Sequence, residues 1–236
     1  MTASPTLLLV HGSWHGPWCW AALEAALAGH GVPTRTVQLP SVGDDPASLG
    51  GLSGDCDVVT AAAAAIPGDV VVVGHSYGGL VITGARYGAH VRRLVYLCAF
   101  MPEEGRSLVA CLPPGPLPPF VDAQPDHQNV VTTVAADFFY QDCTKEQADA
   151  AIARLKPQSA AAITEGVPGC AWKSLPSTYI CLTDDRIIPL EAQRMFAAQA
   201  TDSIDMAGSH SPMLSKPEEL AVVLAGIARG AVTRAA

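Results

Sequence analysis

Basic residues are scarce in this chain of 236 residues, which has 14 lysines and arginines, 22 aspartates and glutamates, and a formal net charge of −8 at pH 7. Nucleic-acid binding depends on lysine and arginine side chains that neutralise phosphates. Because no basic stripe is present, we expect that nucleic acid is not a partner. The acidic balance mainly favours solubility.

Long apolar runs and a basic N-terminal region are also missing. The first apolar run, at residues 7–10, is too short for the core of a signal peptide or for a membrane span. We therefore expect a cytoplasmic protein without a membrane partner.

Disulfide and metal-ligand patterns are absent as well. The seven cysteines are odd in number and include no CxxC pair, and the sequence has no HExxH motif. This spacing predicts neither a disulfide framework nor a zinc site. We expect no metal and no organic cofactor.

Four consecutive valines, at 70–73, are followed by Gly-His-Ser-Tyr-Gly at 74–78. The valines predict a buried strand, and the glycines allow an abrupt turn into a helix. A Gly-x-Ser-x-Gly pattern at such a turn exposes the serine hydroxyl, here Ser76, beside helix N–H groups. Both features suit a nucleophile, although a glycine-rich turn whose serine only caps a helix can have the same short motif.

Strand and helix patterns alternate along most of the chain. Strands are predicted at 6–10, 32–39, 70–73, 92–97, 177–182 and near 203–204. Helices are predicted at 20–27, 55–65, 80–87, 189–200 and 215–228, the last from the capping-box spacing of Ser215 and Glu218. Alternation of this kind predicts an α/β fold with a mostly parallel sheet and helices on both faces.

The alternation stops between residues 101 and 174, where five prolines fall between 113 and 119. Thr144 and Gln147 have capping-box spacing and predict a helix there. A long insertion inside a compact domain is usually functional. We therefore predict a single domain, 1–236, in which 101–174 form a mainly helical lid over the nucleophile; loose surface decoration is the alternative.

A serine nucleophile needs a histidine base and an acid that orients this base. His210 lies in a Gly/Ser loop after the last predicted strand, and Asp184 and Asp185 lie in the loop after the preceding strand. Because the carboxyl ends of parallel strands share one edge of the sheet, both loops should open near Ser76. The residues alone do not choose between the two aspartates.

Main-chain groups are predicted to bind the oxyanion. They are the N–H of Tyr77, directly after the nucleophile, and the N–H of Ser13, in the loop after the first strand. His11 and His75 are interpreted as structural, and the same interpretation is favoured for His15.

Four segments carry a family resemblance: LVHGSWHGPWCW at 9–20, GHSYGG at 74–79, TDDRIIP at 183–189 and GSH at 208–210. They resemble the α/β-hydrolase superfamily, and more narrowly the branch of plant methyl esterases, such as the salicylic-acid-binding methylsalicylate esterase, and plant hydroxynitrile lyases. The resemblance covers the predicted sheet and is weakest in the insertion. It implies an α/β-hydrolase fold, with Asp185 as the acid because of its distance from the proline. The alanine-rich composition favours a bacterial member.

The lyases of that branch carry a threonine where this chain has Gly12, and a lysine where it has Ser211. Without that lysine no cation is evident that would stabilise a departing cyanide. The resemblance therefore favours ester hydrolysis. Dehalogenases and epoxide hydrolases carry an aspartate in place of Ser76 and are disfavoured.

The leading hypothesis is a serine hydrolase that cleaves a small, largely apolar carboxylic ester through an acyl-enzyme on Ser76, the ester being a methyl ester, a lactone or a thioester. The alternatives are a hydroxynitrile-lyase-like or other lyase on the same scaffold and a non-catalytic small-molecule receptor. A homodimer is one expected assembly. Candidates for an apolar pocket, or equally for the core, are Phe138, Phe139, Tyr140, Trp172 and Met213.

Overall fold

The computed structural model describes residues 4–230. Strands in this range are β1 (Thr6–Val10), β2 (Thr34–Thr36), β3 (Val70–His75), β4 (Val91–Leu97), β5 (Val121–Ala123), β6 (His127–Val130), β7 (Gln158–Ser159), β8 (Ser177–Leu182) and β9 (Asp202–Met206).

The α-helices of the same range are α1 (Ala21–Gly29), α2 (Leu52–Ala65), α3 (Gly78–Gly84), α4 (Leu108–Cys111), α5 (Thr132–Phe139), α6 (Lys145–Ile152), α7 (Ala160–Thr164), α8 (Leu190–Ala197), α9 (Pro212–Ser215) and α10 (Pro217–Ala228). Short 3₁₀ helices lie at Pro17–Trp20, Pro46–Ser48 and Ala171–Lys173. Among the described residues, no helix has both the length and the apolar character needed to cross a bilayer.

Six strands form the main sheet in the order β2-β1-β3-β4-β8-β9. All neighbouring pairs in this sheet are parallel. β3 lies between β1 and β4, with Val73 opposite Leu9 on one side and Val95 on the other. The predicted mostly parallel α/β sheet is confirmed.

Both faces of β3 are buried, which explains its unbroken valine run. Val70 and Val72 face a core formed with α2, α3 and α8, and Val71 and Val73 face a core formed with α1 and α10. Each fully buried valine contributes about 1.5 kcal/mol or more through burial of apolar surface. The two cores fix β3, and with it the turn that follows.

The second strand is shorter than predicted from 32–39 and covers only Thr34–Thr36 at the sheet edge. By Leu39 the chain has left the strand, and the Leu39 N–H donates to Nε2 of His11 (3.2 Å) instead of to a neighbouring strand.

One of the two predicted capping boxes is present. Thr144 Oγ1 accepts the Gln147 N–H (3.2 Å), and Gln147 Oε1 accepts the Thr144 N–H (2.9 Å). The box predicted at Ser215 is wrong, because Ser215 ends α9 and Lys216 is the residue that precedes α10. The Ser215 hydroxyl donates back to the Ser211 carbonyl instead (3.4 Å).

The chain between β4 and β8 contains α4 to α7 and a small antiparallel sheet of order β5-β6-β7. It has an apolar cluster that includes Phe120, Phe139 and Tyr140 together with Trp14 from the loop after β1. Because that loop leaves the carboxyl end of β1, this inserted segment packs on the carboxyl edge of the main sheet.

Candidate active site

Ser76 stands at the top of the turn between β3 and α3 with a φ of +53°, in the left-handed region that side-chain-bearing residues seldom adopt. The Ser76 N–H donates to the Leu97 carbonyl (3.3 Å), and the Ser76 carbonyl accepts the N–H groups of Gly79 (3.0 Å) and Phe100 (3.2 Å). These bonds join main-chain atoms, so neighbouring backbone holds the strained conformation.

Two glycines allow the backbone to pass closely at this turn. A Cβ added at Gly74 would lie 2.6 Å from the Gly78 carbonyl oxygen, and one at Gly78 would lie 2.7 Å from the Val10 carbonyl oxygen. Only glycine therefore fits where β1, β3 and α3 meet, as the motif predicts.

His210 and Asp185 form a buried pair, with Nδ1 of the ring 2.8 Å from Oδ2 of the carboxylate. The other carboxylate oxygen, Oδ1, accepts the N–H groups of Ile187 (2.7 Å) and Ile188 (3.1 Å). Since the carboxylate accepts, Nδ1 of His210 carries the hydrogen, so that in a neutral ring Nε2 carries the lone pair. The ring thus has the tautomer of a general base.

Asp184 is exposed and turned away from this pair. Its carboxylate accepts the hydroxyl of the adjacent Thr183 (3.1 Å). The geometry therefore distinguishes the two aspartates, and Asp185 is the one that meets His210.

The histidine loop is tied to the serine turn through His75. Nε2 of His75 donates to the main-chain carbonyl of His210 (2.7 Å), and the two ring centres are 4.6 Å apart. Among residues 4–230 the Ser76 hydroxyl makes no hydrogen bond. Hydrogen bonds between catalytic groups are often long or unformed without substrate, so the missing bond does not argue against Ser76 and His210 as nucleophile and base.

His75 is buried, and Nδ1 of its ring has no partner within the described residues. Burial, reinforced by the nearby His210 and His15 rings, holds the pKa of His75 well below its usual range, so the ring is neutral. A Cβ added at Gly12 would lie 3.0 Å from this Nδ1 and 2.9 Å from Cβ of Ser76. Gly12 thus sits against the serine with no room for a side chain.

Ser13 and Tyr77 are the predicted oxyanion donors. Ser13 and Ser76 line the same cavity, and Tyr77 directly follows the serine. Within the part of the chain that the structure describes, neither main-chain N–H has an acceptor. Both donors are therefore available to an oxyanion.

His11 makes structural hydrogen bonds, as interpreted from the sequence. Its Nδ1 donates to the Gly12 carbonyl (2.9 Å), and its Nε2 accepts the Leu39 N–H. Burial lowers the pKa of His11 to about 4, so the ring is neutral at pH 7.

A buried carboxylate that the sequence analysis missed lies behind the serine turn. Asp55 accepts the Tyr77 hydroxyl (2.6 Å), the Ser41 hydroxyl (2.6 Å) and the Ser41 N–H (2.9 Å). Burial, only partly offset by these hydrogen bonds, raises the pKa of Asp55 to about 6. An acid inside a predicted helix carries no sequence signal that separates a buried role from an exposed one.

The cavity beside Ser76 has a volume of about 110 Å³ and a mainly apolar wall. In the described part of the chain its lining is uncharged, and its polar side chains include Ser13, Ser76 and Gln128. A second cavity of about 240 Å³ shares Phe100, Leu112 and Ile187 with it.

The five pocket candidates from the sequence do not line the cavity beside Ser76. Phe139 and Tyr140 belong to the apolar cluster of the inserted segment, with Phe138 packed against it. Met213 lies in the core under α10, and Trp172 packs against the opposite core. For these residues the core interpretation is the right one.

One group of metal-ligand residue types lies together in the described range. The ligand atoms of His75, Cys98 and His210 are within 4.8 Å of one another. However, the Cys98 thiol and the His75 ring both donate to the His210 carbonyl, and the His210 ring is paired with Asp185. Burial also raises the pKa of the Cys98 thiol well above its usual range, which disfavours the thiolate that a metal would need.

Comparison with known proteins identifies the class. The model of the alpha/beta hydrolase family matches residues 7–223. The chain belongs to this family, and the predicted resemblance is confirmed.

Particular relatives give the comparison more detail. A carbendazim-hydrolyzing esterase of Nocardioides sp. (strain SG-4G) is 48% identical over 128 residues, a match that spans 50% of each chain. Methylesterase 1 of Arabidopsis thaliana is 26% identical over 246 residues, with 90% of this chain and 92% of the relative covered. The crystal structure of a pyrethroid hydrolase from Sphingobium faniae JZ-2 has a TM-score of 0.83 at 22% identity, covering 95% of this chain and 97% of that one, and shows the same fold.

Proposed function

We propose that the protein is a carboxylic ester hydrolase in which Ser76 is the nucleophile, His210 the general base and Asp185 the acid that orients the histidine. The buried 2.8 Å contact between His210 Nδ1 and Asp185 Oδ2, at the sheet edge where Ser76 stands on its strained turn, carries the proposal. The esterase names of the relatives support the same reaction.

The reaction begins when Oγ of Ser76 attacks the ester carbonyl carbon and Nε2 of His210 takes the hydroxyl proton. The negative Asp185 stabilises the imidazolium that forms. The main-chain N–H groups of Ser13 and Tyr77 donate to the oxyanion, each worth about 3 kcal/mol of transition-state stabilisation.

Collapse of this intermediate breaks the bond to the alkoxide, which takes the proton from His210 and leaves as the alcohol. His210 then removes a proton from water, and the water oxygen attacks the acyl carbon on Ser76. The second tetrahedral intermediate releases the carboxylic acid and restores the serine hydroxyl.

The substrate is a small, largely apolar ester, because an uncharged cavity of about 110 Å³ offers no partner to a charged group. Methyl esters, lactones and thioesters all meet this requirement. Leu108 and Leu117 of the inserted segment contribute to the cavity wall, which supports the proposal that residues 101–174 act as a lid.

The lyase alternative is not favoured. The lyase threonine would replace Gly12, where an added Cβ would lie 2.9 Å from Cβ of Ser76 and 3.0 Å from Nδ1 of His75, and Ser211 provides no cation. A receptor would have no need of the paired His210 and Asp185. The absence of a cofactor, the cytoplasmic location and the homodimer remain predictions.

The experiment uses a fluorophosphonate, which forms a covalent adduct with an activated serine, followed by intact-mass measurement and assay of a 4-nitrophenyl ester. We expect one adduct on the wild-type protein, no adduct on Ser76→Ala, and loss of turnover by several orders of magnitude in that variant. Ser174→Ala, which removes an exposed hydroxyl, is the matched control. Ester turnover by folded Ser76→Ala at the wild-type rate would refute the nucleophile.

A further inference from the structure

Four consecutive residues, 139–142, contact three of the loops that the proposed reaction uses, namely those that carry Ser13, Asp185 and His210; we call these four residues the strap. They lie at the end of α5 in the inserted segment, far in sequence from the loops they contact. Phe139 places its ring edge-on to the His210 ring, with centres 6.1 Å apart. The next three residues each make a hydrogen bond to a different loop.

Tyr140 reaches the oxyanion loop through His15. Nδ1 of His15 is 2.7 Å from the Ser13 carbonyl, which can only accept, so Nδ1 carries the hydrogen. Nε2 of His15 is then the acceptor for the Tyr140 hydroxyl, also at 2.7 Å. Tyr140, His15 and Ser13 are all buried, and burial lowers the pKa of His15 to about 3, so this neutral arrangement persists at pH 7.

The same loop is held at Trp14, the residue between Ser13 and His15. Trp14 has a φ of +61°, a conformation that needs support from its surroundings. Its carbonyl accepts the Lys156 N–H (2.9 Å), and its indole N–H donates to the Gln128 carbonyl (3.1 Å). Both partners belong to the inserted segment, so the path of the loop that carries the Ser13 N–H depends on that segment.

Asp142 holds the loop that carries His210. Its carboxylate accepts the Ser209 N–H (2.9 Å) and also the Ser209 hydroxyl. The Ser209 hydroxyl oxygen in turn accepts the Ser211 N–H (3.3 Å). The residues on both sides of His210 are therefore connected to one carboxylate of the strap.

Gln141 completes the set at the acid loop. Its side-chain amide donates to the Asp184 carbonyl (2.6 Å), the residue before Asp185. The Arg186 guanidinium, on the other side of Asp185, donates to the Asp137 carbonyl in α5 (2.9 Å). The acid loop is thus bound to the strap and to the helix that precedes it.

We infer that Tyr140, Gln141 and Asp142 are positioning residues, which set the oxyanion, acid and histidine loops in their reactive arrangement. This inference rests on the proposed ester hydrolysis. The side chains of Tyr140, Gln141 and Asp142 bond to His15, Asp184 and Ser209, so they act through the neighbouring Ser13, Asp185 and His210. Its removal should therefore affect the transition state more than substrate binding, because small misplacements of catalytic groups cost rate.

The first variant is Tyr140→Phe, which removes one hydroxyl and leaves Nε2 of His15 without its donor. We expect kcat to fall about tenfold with KM changed less than about twofold, since a misplaced oxyanion donor is felt only in the transition state. A trifluoromethyl ketone, which binds as a hemiketal oxyanion, should lose affinity by about the same factor. Tyr87→Phe is the control, because that hydroxyl donates to the Ile82 carbonyl in α3.

The second variant is Asp142→Ala, at an exposed position where folding should tolerate the change. We expect kcat, and the rate at which a fluorophosphonate modifies Ser76, to fall together by roughly threefold to tenfold. Asp142→Asn should keep most of the wild-type rate, because its amide can still accept the Ser209 N–H and donate to the Ser209 hydroxyl. Asp149→Ala, which removes an exposed carboxylate of α6, is the control.

Rates are expressed per site that a fluorophosphonate titrates to completion, so unfolded molecules do not count. Wild-type kcat in either Tyr140→Phe or Asp142→Ala would overturn the inference, as would a rise in KM alone or equal losses in Asp142→Ala and Asp142→Asn. The ester-hydrolase proposal would fail through a different result, which is ester turnover by Ser76→Ala at the wild-type rate.

Discussion

Lowering the pH from 7 to 5 should destabilise the fold, because buried histidines stay neutral in the folded protein and take up protons only on unfolding. Burial lowers the pKa of His11 to about 4 and that of His15 to about 3, from a usual value of 6.5. A base with a lowered folded-state pKa contributes stability that is present above pH 6.5 and lost as the pH falls. His75 acts in the same direction.

The expected size follows from the same pKa values. When the pH falls from 7 to 5, protonation of each such histidine stabilises the unfolded chain by roughly 2 kcal/mol, or about 4 kcal/mol for His11 and His15 together. The free energy of unfolding falls by the same amount. Asp55 opposes this loss. The folded-state pKa of Asp55 is raised to about 6, so its stabilising contribution is complete at low pH and is lost as the pH rises. Lowering the pH from 7 to 5 therefore stabilises the fold by about 1 kcal/mol through Asp55.

The net loss is therefore about 3 kcal/mol before the contribution of His75, a large part of the 5–15 kcal/mol by which domains are usually stable. Urea unfolding at pH 7 and pH 5, at constant ionic strength and followed by tryptophan fluorescence, measures it. His11→Gln keeps an acceptor for the Leu39 N–H and should reduce the pH-dependent loss by about 2 kcal/mol.

Asp55→Asn provides a test of opposite sign, since it removes the opposing term and should enlarge the loss by about 1 kcal/mol. Equal pH dependence in wild type and His11→Gln would refute the reasoning. A smaller loss in Asp55→Asn would refute the raised pKa of that acid.

Four further predictions concern the site. Asp185→Asn should lower kcat of ester hydrolysis by orders of magnitude with little effect on KM, and Asp184→Asn should do little; the reverse order would reassign the acid. Gly12→Thr should abolish ester hydrolysis, because its Cβ would lie 2.9 Å from that of Ser76, and adding Ser211→Lys should not confer mandelonitrile cleavage; a gain of that activity would contradict the steric argument. Ile187→Ala should open the wall between the two cavities and raise kcat/KM for bulky esters relative to methyl esters, and an unchanged ratio would show that the wall is formed elsewhere. Dialysis against a chelator should leave hydrolysis unchanged, whereas a loss that zinc restores would show a metal requirement.

The central strands of the main sheet could be predicted from the sequence because β1, β3 and β8 are buried on both faces. The valine run of β3 is the clearest case, and the glycines after it report the close approach to Val10 and α3. Asp185 could be chosen only from the spacing to Pro189 in related proteins, because two adjacent aspartates in one loop have the same sequence pattern. Their difference arises from the loop, where Oδ1 of Asp185 turns inward to the main chain.

The inserted segment could not be predicted in the same detail. Its strands β5, β6 and β7 are two to four residues long, too short to show an alternating pattern. Whether an aromatic such as Phe139 lines a cavity or fills a core depends on how α5 docks on Trp14. The contact of Asp142 with Ser209 spans 67 residues of sequence, a distance over which local patterns carry no information.

Main-chain bonds and glycine contacts hold the turn at Ser76, and the serine side chain has no part in them. The backbone of the turn thus determines where the reacting atom lies, but it does not determine which element that atom is. A cysteine or an aspartate at this position would meet the same donors and the same histidine on an unchanged backbone. We therefore expect a single substitution at Ser76 to change the reacting atom while the turn keeps its shape.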